Sequence, residues 1–191
     1  MKRLALIVVV LSVGVLGFVV LRKEAPETRI EPIEQEIPRV KLEIVGTSVE
    51  GRDIEAYTYG GGDTHLVFVG GIHGGYEWNS VLLAYQFLDY LEGNLSAIPG
   101  NITITVIPSA NPDGLYAVVG KEGRFATADV SEGASNGLGR FNAHDVDLNR
   151  NFDCNWQPES TWRNNVVSAG TSPFSEPETQ AIRDFVLEYD P

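Results

Sequence analysis

The chain has 191 residues, 43% of them hydrophobic, which suits one domain with a real core and is too short for two large ones. Its formal net charge of -12 repels polyanions, so nucleic acid is excluded as an expected partner; the plainer meaning of the same acidity is solubility. Cys154 is the only cysteine, which rules out an internal disulfide and a zinc site built on cysteine pairs.

In chain order, Met1, Lys2 and Arg3 precede an uncharged run over residues 4–21, closed by Arg22 and Lys23. That run would make about 27 Å of helix, enough to cross a hydrocarbon core. A cleaved signal peptide has a shorter apolar region and a small-x-small site after it. Residues 1–23 are therefore expected to be an N-terminal transmembrane signal anchor in preference to a cleaved signal. The remainder would lie outside the cytoplasm, membrane-anchored or else secreted. Residues 24–39, rich in proline and glutamate, read as an extended linker. A folded domain is expected over residues 40–191.

Within it, residues 41–45 and 53–59 alternate as strands of a hairpin with Glu50-Gly51 at its tip. Residues 66–69 form a short apolar run, as expected of a strand buried on both faces. Residues 78–91 carry Val81, Leu82, Tyr85, Leu88 and Leu91 at helical spacing, and Gly93 can end that helix. Residues 102–107 read as a further strand. A polar, glycine-rich stretch follows over residues 109–172, and so much irregular chain in a compact domain points to function. Ser175-Glu176-Pro177-Glu178 reads as a capping box with proline in the first turn. It would open a helix over residues 176–188 with Ile182, Phe185 and Val186 on one face. The alternation of strands and helices predicts an α/β fold, a mixed and mostly parallel sheet flanked by helices.

Three segments carry chemistry-bearing residues. Gly70-Gly71-Ile72-His73-Gly74-Gly75-Tyr76-Glu77 falls between a strand and a helix, where open α/β sheets bind ligands. His73 offers a neutral nitrogen and Glu77 a carboxylate, both acceptable to zinc. The same pair also suits a histidine hydrogen-bonded in a turn and a glutamate at a helix N-terminus. Asn111-Pro112-Asp113-Gly114 is, by itself, good turn chemistry. The segment from Arg140 to Phe152, RFNAHDVDLNRNF, crowds two arginines among amides. Arginine can grip a carboxylate bidentately or stabilise an oxyanion; alternatively these arginines are spent on internal salt bridges to Asp145, Asp147 and Asp153.

Taken together with the later SPFSEPETQAI, these segments resemble the zinc metallocarboxypeptidases, the carboxypeptidase A-like peptidases. The similarity is greatest to the bacterial branch that includes murein-peptide amidases, since Arg140 lies nine residues before Asn149. The resemblance covers residues 40–191 and implies a carboxypeptidase-like fold, incomplete at its C-terminal side, with Zn2+ as cofactor. It implies His73 and Glu77 as the first two metal ligands and Arg140 as the group that polarises the scissile carbonyl. Asn149 and Arg150 would bind the carboxylate of a peptide substrate, and the bonds cleaved would be those of C-terminal or carboxylate-bearing residues, with cell-wall peptides among the candidates. The family spaces its first ligands as His-x-x-Glu, whereas three residues separate His73 from Glu77 here. Its third histidine and its general-base glutamate would fall beyond Pro191, so a fragment, inactive alone, is expected. His65 and His144 match neither missing group. Two other classes remain open: a zinc deacylase of aspartoacylase type, which Asn111-Pro112-Asp113-Gly114 and the later SEPET fit less well, and a non-catalytic, membrane-tethered peptide-binding pseudoenzyme, which the lengthened His73–Glu77 spacing favours.

Overall fold

A computed structural model describes residues 40–191. The segments read as a membrane anchor and a linker, residues 1–23 and 24–39, lie outside the described residues. Among the described residues, no helix is long and apolar enough to cross a membrane.

Strands β1 (Lys41–Thr47) and β2 (Asp53–Gly60) form the expected hairpin. Its turn is closed by Ser48 and Arg52, with Gly51 at φ +81°. β3 (Thr64–Val69) leads through a 3-10 turn, Gly74–Glu77, into helix α1 (Trp78–Gly93), and the chain returns as β4 (Ile102–Ile107). The four strands lie in the order β1-β2-β4-β3. Only β3 and β4 are parallel; β1–β2 and β2–β4 are antiparallel. The expected mostly parallel sheet is thus corrected. Among the described residues the one helical crossover, β3-α1-β4, enforces a parallel pair, while β2 comes from a tight hairpin and runs the other way.

Alternation along the strands splits the core in two. Tyr59 and Val106 face α1, packing with Val81, Ala84 and Leu88, and with Leu115 and Val118 of helix α2 (Pro112–Val119). Ile54, Ala56 and Ile107 face the opposite way, against Ala181, Ile182 and Phe185 of helix α3 (Pro177–Tyr189). Val186, expected on that buried face, is exposed. β3 was expected to be buried on both faces, but it is an edge strand among the described residues, with Leu66 53% exposed.

The stretch expected to be irregular is not uniformly so. Asn111-Pro112-Asp113-Gly114 opens α2: Asn111 Oδ1 accepts from Gly114 N at 2.8 Å, and Pro112 stands at the first helical position. Turn residues and helix-start residues are the same types, which is why the segment read as a loop. Further on, β5 (Glu159–Trp162) and β6 (Asn165–Ser168) form a second hairpin. The capping box at Ser175 is also corrected. Glu176 is the N-cap without a side-chain cap, and Ser175 Oγ donates instead to Glu176 Oε1 at 2.7 Å. Glu178 is fully buried and accepts from Val49 N at 3.1 Å.

Candidate functional site

The three motifs meet at glycines. A Cβ on Gly114 would stand 2.3 Å from the Gly139 carbonyl oxygen, and one on Gly74 would stand 2.6 Å from that same atom. Backbone from the His73 loop, from α2 and from the segment before Arg140 therefore touches directly, closer than any side chain allows.

His73 is 5% exposed at the start of the 3-10 turn. The backbone nitrogens of Tyr76 and Glu77 both donate to the His73 carbonyl, at 3.0 and 3.4 Å. This turn absorbs the longer spacing and brings the Glu77 carboxylate back over the imidazole, with Oε1 2.8 Å from Nδ1. The other ring nitrogen, Nε2, lies 3.1 Å from Asp147 Oδ1. A proton on Nε2, donated to Asp147, leaves the Nδ1 lone pair beside a carboxylate oxygen. A nitrogen and an oxygen that zinc accepts thus converge, on a ring oriented from behind by a buried carboxylate, and this donor set fits zinc. Among the described residues no cluster of three or more His, Cys, Asp or Glu is placed to hold a metal.

Asp147 is fully buried and ties the site together. Its Oδ2 accepts from Arg140 Nη2 at 2.8 Å, and its backbone nitrogen donates to the Ser168 carbonyl of β6 at 2.9 Å. Burial works against its charged form. The hydrogen bonds from His73 and Arg140 outweigh that and hold the carboxyl below the usual range. Arg140 is 4% exposed, and its Nε is buried without a hydrogen-bond partner among the described residues. Its guanidinium lies over Trp162, 4.6 Å from the ring centroid, with Tyr76 and Phe141 nearby.

Asn149 and Arg150 follow on a 3-10 turn, Leu148–Arg150. Asn149 is exposed. Arg150 donates from Nε to Ser160 Oγ at 3.0 Å and from Nη1 to the Asn149 carbonyl at 3.1 Å. Of the two arginines that could have been spent on internal salt bridges, Arg140 pairs with Asp147, while Arg150 has no carboxylate partner among the described residues. His65 stacks edge-on against Phe185 and lies 2.8 Å from Thr105 Oγ1. His144 lies 2.8 Å from Glu176 Oε2. The structure therefore gathers His73 and Arg140 around Asp147, sets Glu77 on the far side of the His73 ring, and places Asn149 and Arg150 one short turn away.

Sequence reasoning missed the central place of Asp147, and it missed Tyr76 and Trp162 altogether. Asp147 stood inside the arginine segment, but only the fold reveals that it serves two partners. Asn151 was also missed. It is fully buried and fastens the start of α3, accepting from Glu176 N and Thr179 Oγ1 while donating to the carbonyls of Ala169 and Ser172.

Residues 27–191 match the family model for zinc carboxypeptidases. Carboxypeptidase B of Astacus astacus is 31% identical over 156 residues, covering 78% of this chain and 50% of that protein. Bacteriocin BCN5 of Clostridium perfringens is also 31% identical, over 85% of this chain and 17% of its own length. Among solved structures, carboxypeptidase A from Helicoverpa armigera superposes with a TM-score of 0.54 at 28% identity, covering 78% of this chain and 38% of that one. Murein-tripeptide amidase MpaA from Escherichia coli O157 gives 0.51 at 27% identity, covering 78% and 56%. The chain thus spans half or less of the length of these two curated relatives, and it belongs to the zinc carboxypeptidase family, whose metal is zinc.

Proposed function

We propose that this chain carries one side of the active site of a zinc-dependent metallocarboxypeptidase, which hydrolyses peptide bonds next to a free carboxylate. The observation that carries this reading is the His73 ring fixed through Nε2 to Asp147, with Nδ1 held against Glu77. His73 and Glu77 would hold zinc, with the remaining ligand and the general base supplied from outside the described residues. Zinc in such a site supplies Lewis-acid polarisation of the scissile carbonyl and a bound water of lowered pKa.

The chain's own residues do the rest. Asp147 fixes the tautomer and direction of the His73 ring. Arg140, its Nη2 committed to Asp147, keeps an unpaired Nε–H for the oxygen that gains charge during attack. Arg150 and Asn149 grip the substrate carboxylate and fix the register of the bond to be cut. Peptides of the cell wall are the favoured substrates, on the strength of the Arg140–Asn149 spacing and the likeness to a murein-tripeptide amidase. An extracytoplasmic location, tethered through residues 4–21, follows from the apolar run there.

The test is zinc-dependent release of C-terminal residues by the native protein. Chelation should abolish release and added zinc restore it. Arg150→Ala should weaken binding of free-acid peptides by roughly tenfold or more, the value of a charge-assisted hydrogen bond. Activity indifferent to chelation would overturn the proposal.

A further inference from the structure

The cations of the described residues fall into two groups. Lys41, Arg52, Lys121, Arg124, Arg140 and Arg183 each pair with a carboxylate. Among the described residues Arg150 and Arg163 do not; their side chains hydrogen-bond only to Ser160 and the Asn149 carbonyl, and to Tyr76, respectively. In a chain of net charge -12, two guanidiniums free of carboxylates are conspicuous, and both belong to the β5–β6 hairpin or touch it.

The hairpin sets them in order. Ser160 of β5 accepts from Arg150 Nε at 3.0 Å. Two residues along, on the same face of the strand, Trp162 lies under the Arg140 guanidinium at 4.6 Å. One residue further, at the tip, Arg163 stacks over the same indole at 4.8 Å and over Tyr76 at 5.6 Å, and donates to the Tyr76 hydroxyl at 3.3 Å. Along an extended strand, Ser160 to Arg163 spans about 10 Å, roughly three residues of peptide. Arg150, Arg140 and Arg163 therefore follow one another along a track, with Arg140 in the middle.

The tip is built for this at a conformational disadvantage. Trp162 pairs with Asn165, so Arg163 and Asn164 form a two-residue connection, with φ of +48° and +64°. Glycine, asparagine and aspartate suit the first of those positions, and arginine does not. Tyr76, which supports the guanidinium, is one of the three residues that separate His73 from Glu77.

We propose that Arg163, held by Trp162 and Tyr76, is an anion-binding subsite for a carboxylate on the acyl half of the substrate. This rests on the reading above that Arg150 takes the carboxylate on the leaving half and Arg140 the scissile carbonyl. Arg163 then stands on the opposite side of the bond to be cut, one or two residues upstream. A guanidinium laid on aromatic faces is rigid, weakly hydrated and shaped for bidentate contact with a carboxylate. The substrates selected are acidic peptides, which the chain's overall charge would otherwise repel.

The experiment measures peptide binding to the full chain by titration calorimetry. Free-acid peptides carry Glu or Gln at the two positions upstream of the scissile bond, and the Glu peptide is also made with an amidated C-terminus. The Glu peptide should bind about tenfold tighter than the Gln peptide, the value of one charge-assisted contact. Arg163→Gly relaxes the tip backbone, so it preserves the hairpin; it should erase the preference while leaving the Gln peptide unchanged. Equal binding of Glu and Gln peptides, or a preference that survives Arg163→Gly, overturns the subsite. Amidation separates the two proposals: a Glu preference that persists while amidation has no effect sinks the carboxypeptidase reading and keeps the subsite. Weaker binding on amidation without a Glu preference does the reverse.

Discussion

Two fully buried carboxylates, Asp147 within the Arg140–Asn151 segment and Glu178 packed against it through Asn142, behave in opposite ways. Asp147 meets a guanidinium and an imidazole, and its carboxyl is held below the usual range despite burial. Glu178 meets only neutral donors, Val49 N and Asn142 Nδ2, with the like charge of Asp113 nearby. Burial dominates there and raises it. Burial therefore does not by itself mark a functional acid. What separates the two is cationic partners, and those partners, His73 and Arg140, are the residues proposed above to hold the metal and the oxyanion.

Removing the acid on the cationic side should have the largest effect. Asp147→Ala would strand the buried Arg140 guanidinium and release the His73 ring, a loss of about 3–5 kcal/mol typical of breaking a buried pair. If His73 holds zinc as proposed, zinc affinity should fall about 10- to 100-fold, as when a carboxylate that orients a metal-bound histidine is removed. Urea unfolding and zinc titration measure the two effects, and a loss well under 1 kcal/mol would contradict the pairing. Gly114→Ala attacks the same side indirectly, because its Cβ would press on the Gly139 carbonyl and displace Arg140. An overpacking cost of about 1–3 kcal/mol is expected. Contacts around Glu178 should survive, which is checked by an unchanged pH dependence of stability above the carboxyl range.

The parts of this arrangement that were legible in the sequence are those with a local signature. α1 announced itself through Val81, Tyr85 and Leu88 on one face, and His73, Glu77 and Arg140 through the segments around them. α2 was hidden because Asn111 and Pro112 serve a turn and a helix start equally well. Parallel or antiparallel pairing depends on which strands become neighbours, and no residue of β2 or β4 encodes that alone. Asp147, Tyr76 and Trp162 were missed for a related reason. Asp147 meets His73 across 74 positions, and Arg163 meets Tyr76 across 87; only tertiary structure supplies such pairs. Ser175 and Glu178 show the converse, a motif with the right local spacing whose side chains found better partners elsewhere, Glu176 for one and Val49 and Asn142 for the other.

The smallest effect is expected at Glu178, and its sign sharpens the contrast. A carboxyl raised on folding binds its proton more tightly in the folded state. Its stabilising contribution is complete below the unfolded value of about 4.3 and is lost as pH rises through the folded value. Glu178→Gln removes that loss, so stability of the variant should decline less with rising pH above about 4.3 than stability of the parent. Near neutral pH the variant should be as stable as the parent or more stable by up to about 1 kcal/mol, since the amide is neutral but one NH group then faces a donor. Glu176, two residues earlier, does not blur the reading. Burial opposes its charged form, but Asn142, Ser175 and His144 prevail and lower its carboxyl. Its contribution is therefore lost as pH falls, below the window in which Glu178 acts. Chemical denaturation of parent and variant across that window decides the point. Parallel pH profiles would show that Glu178 is charged in the fold like Asp147, and the distinction between the two buried acids would disappear.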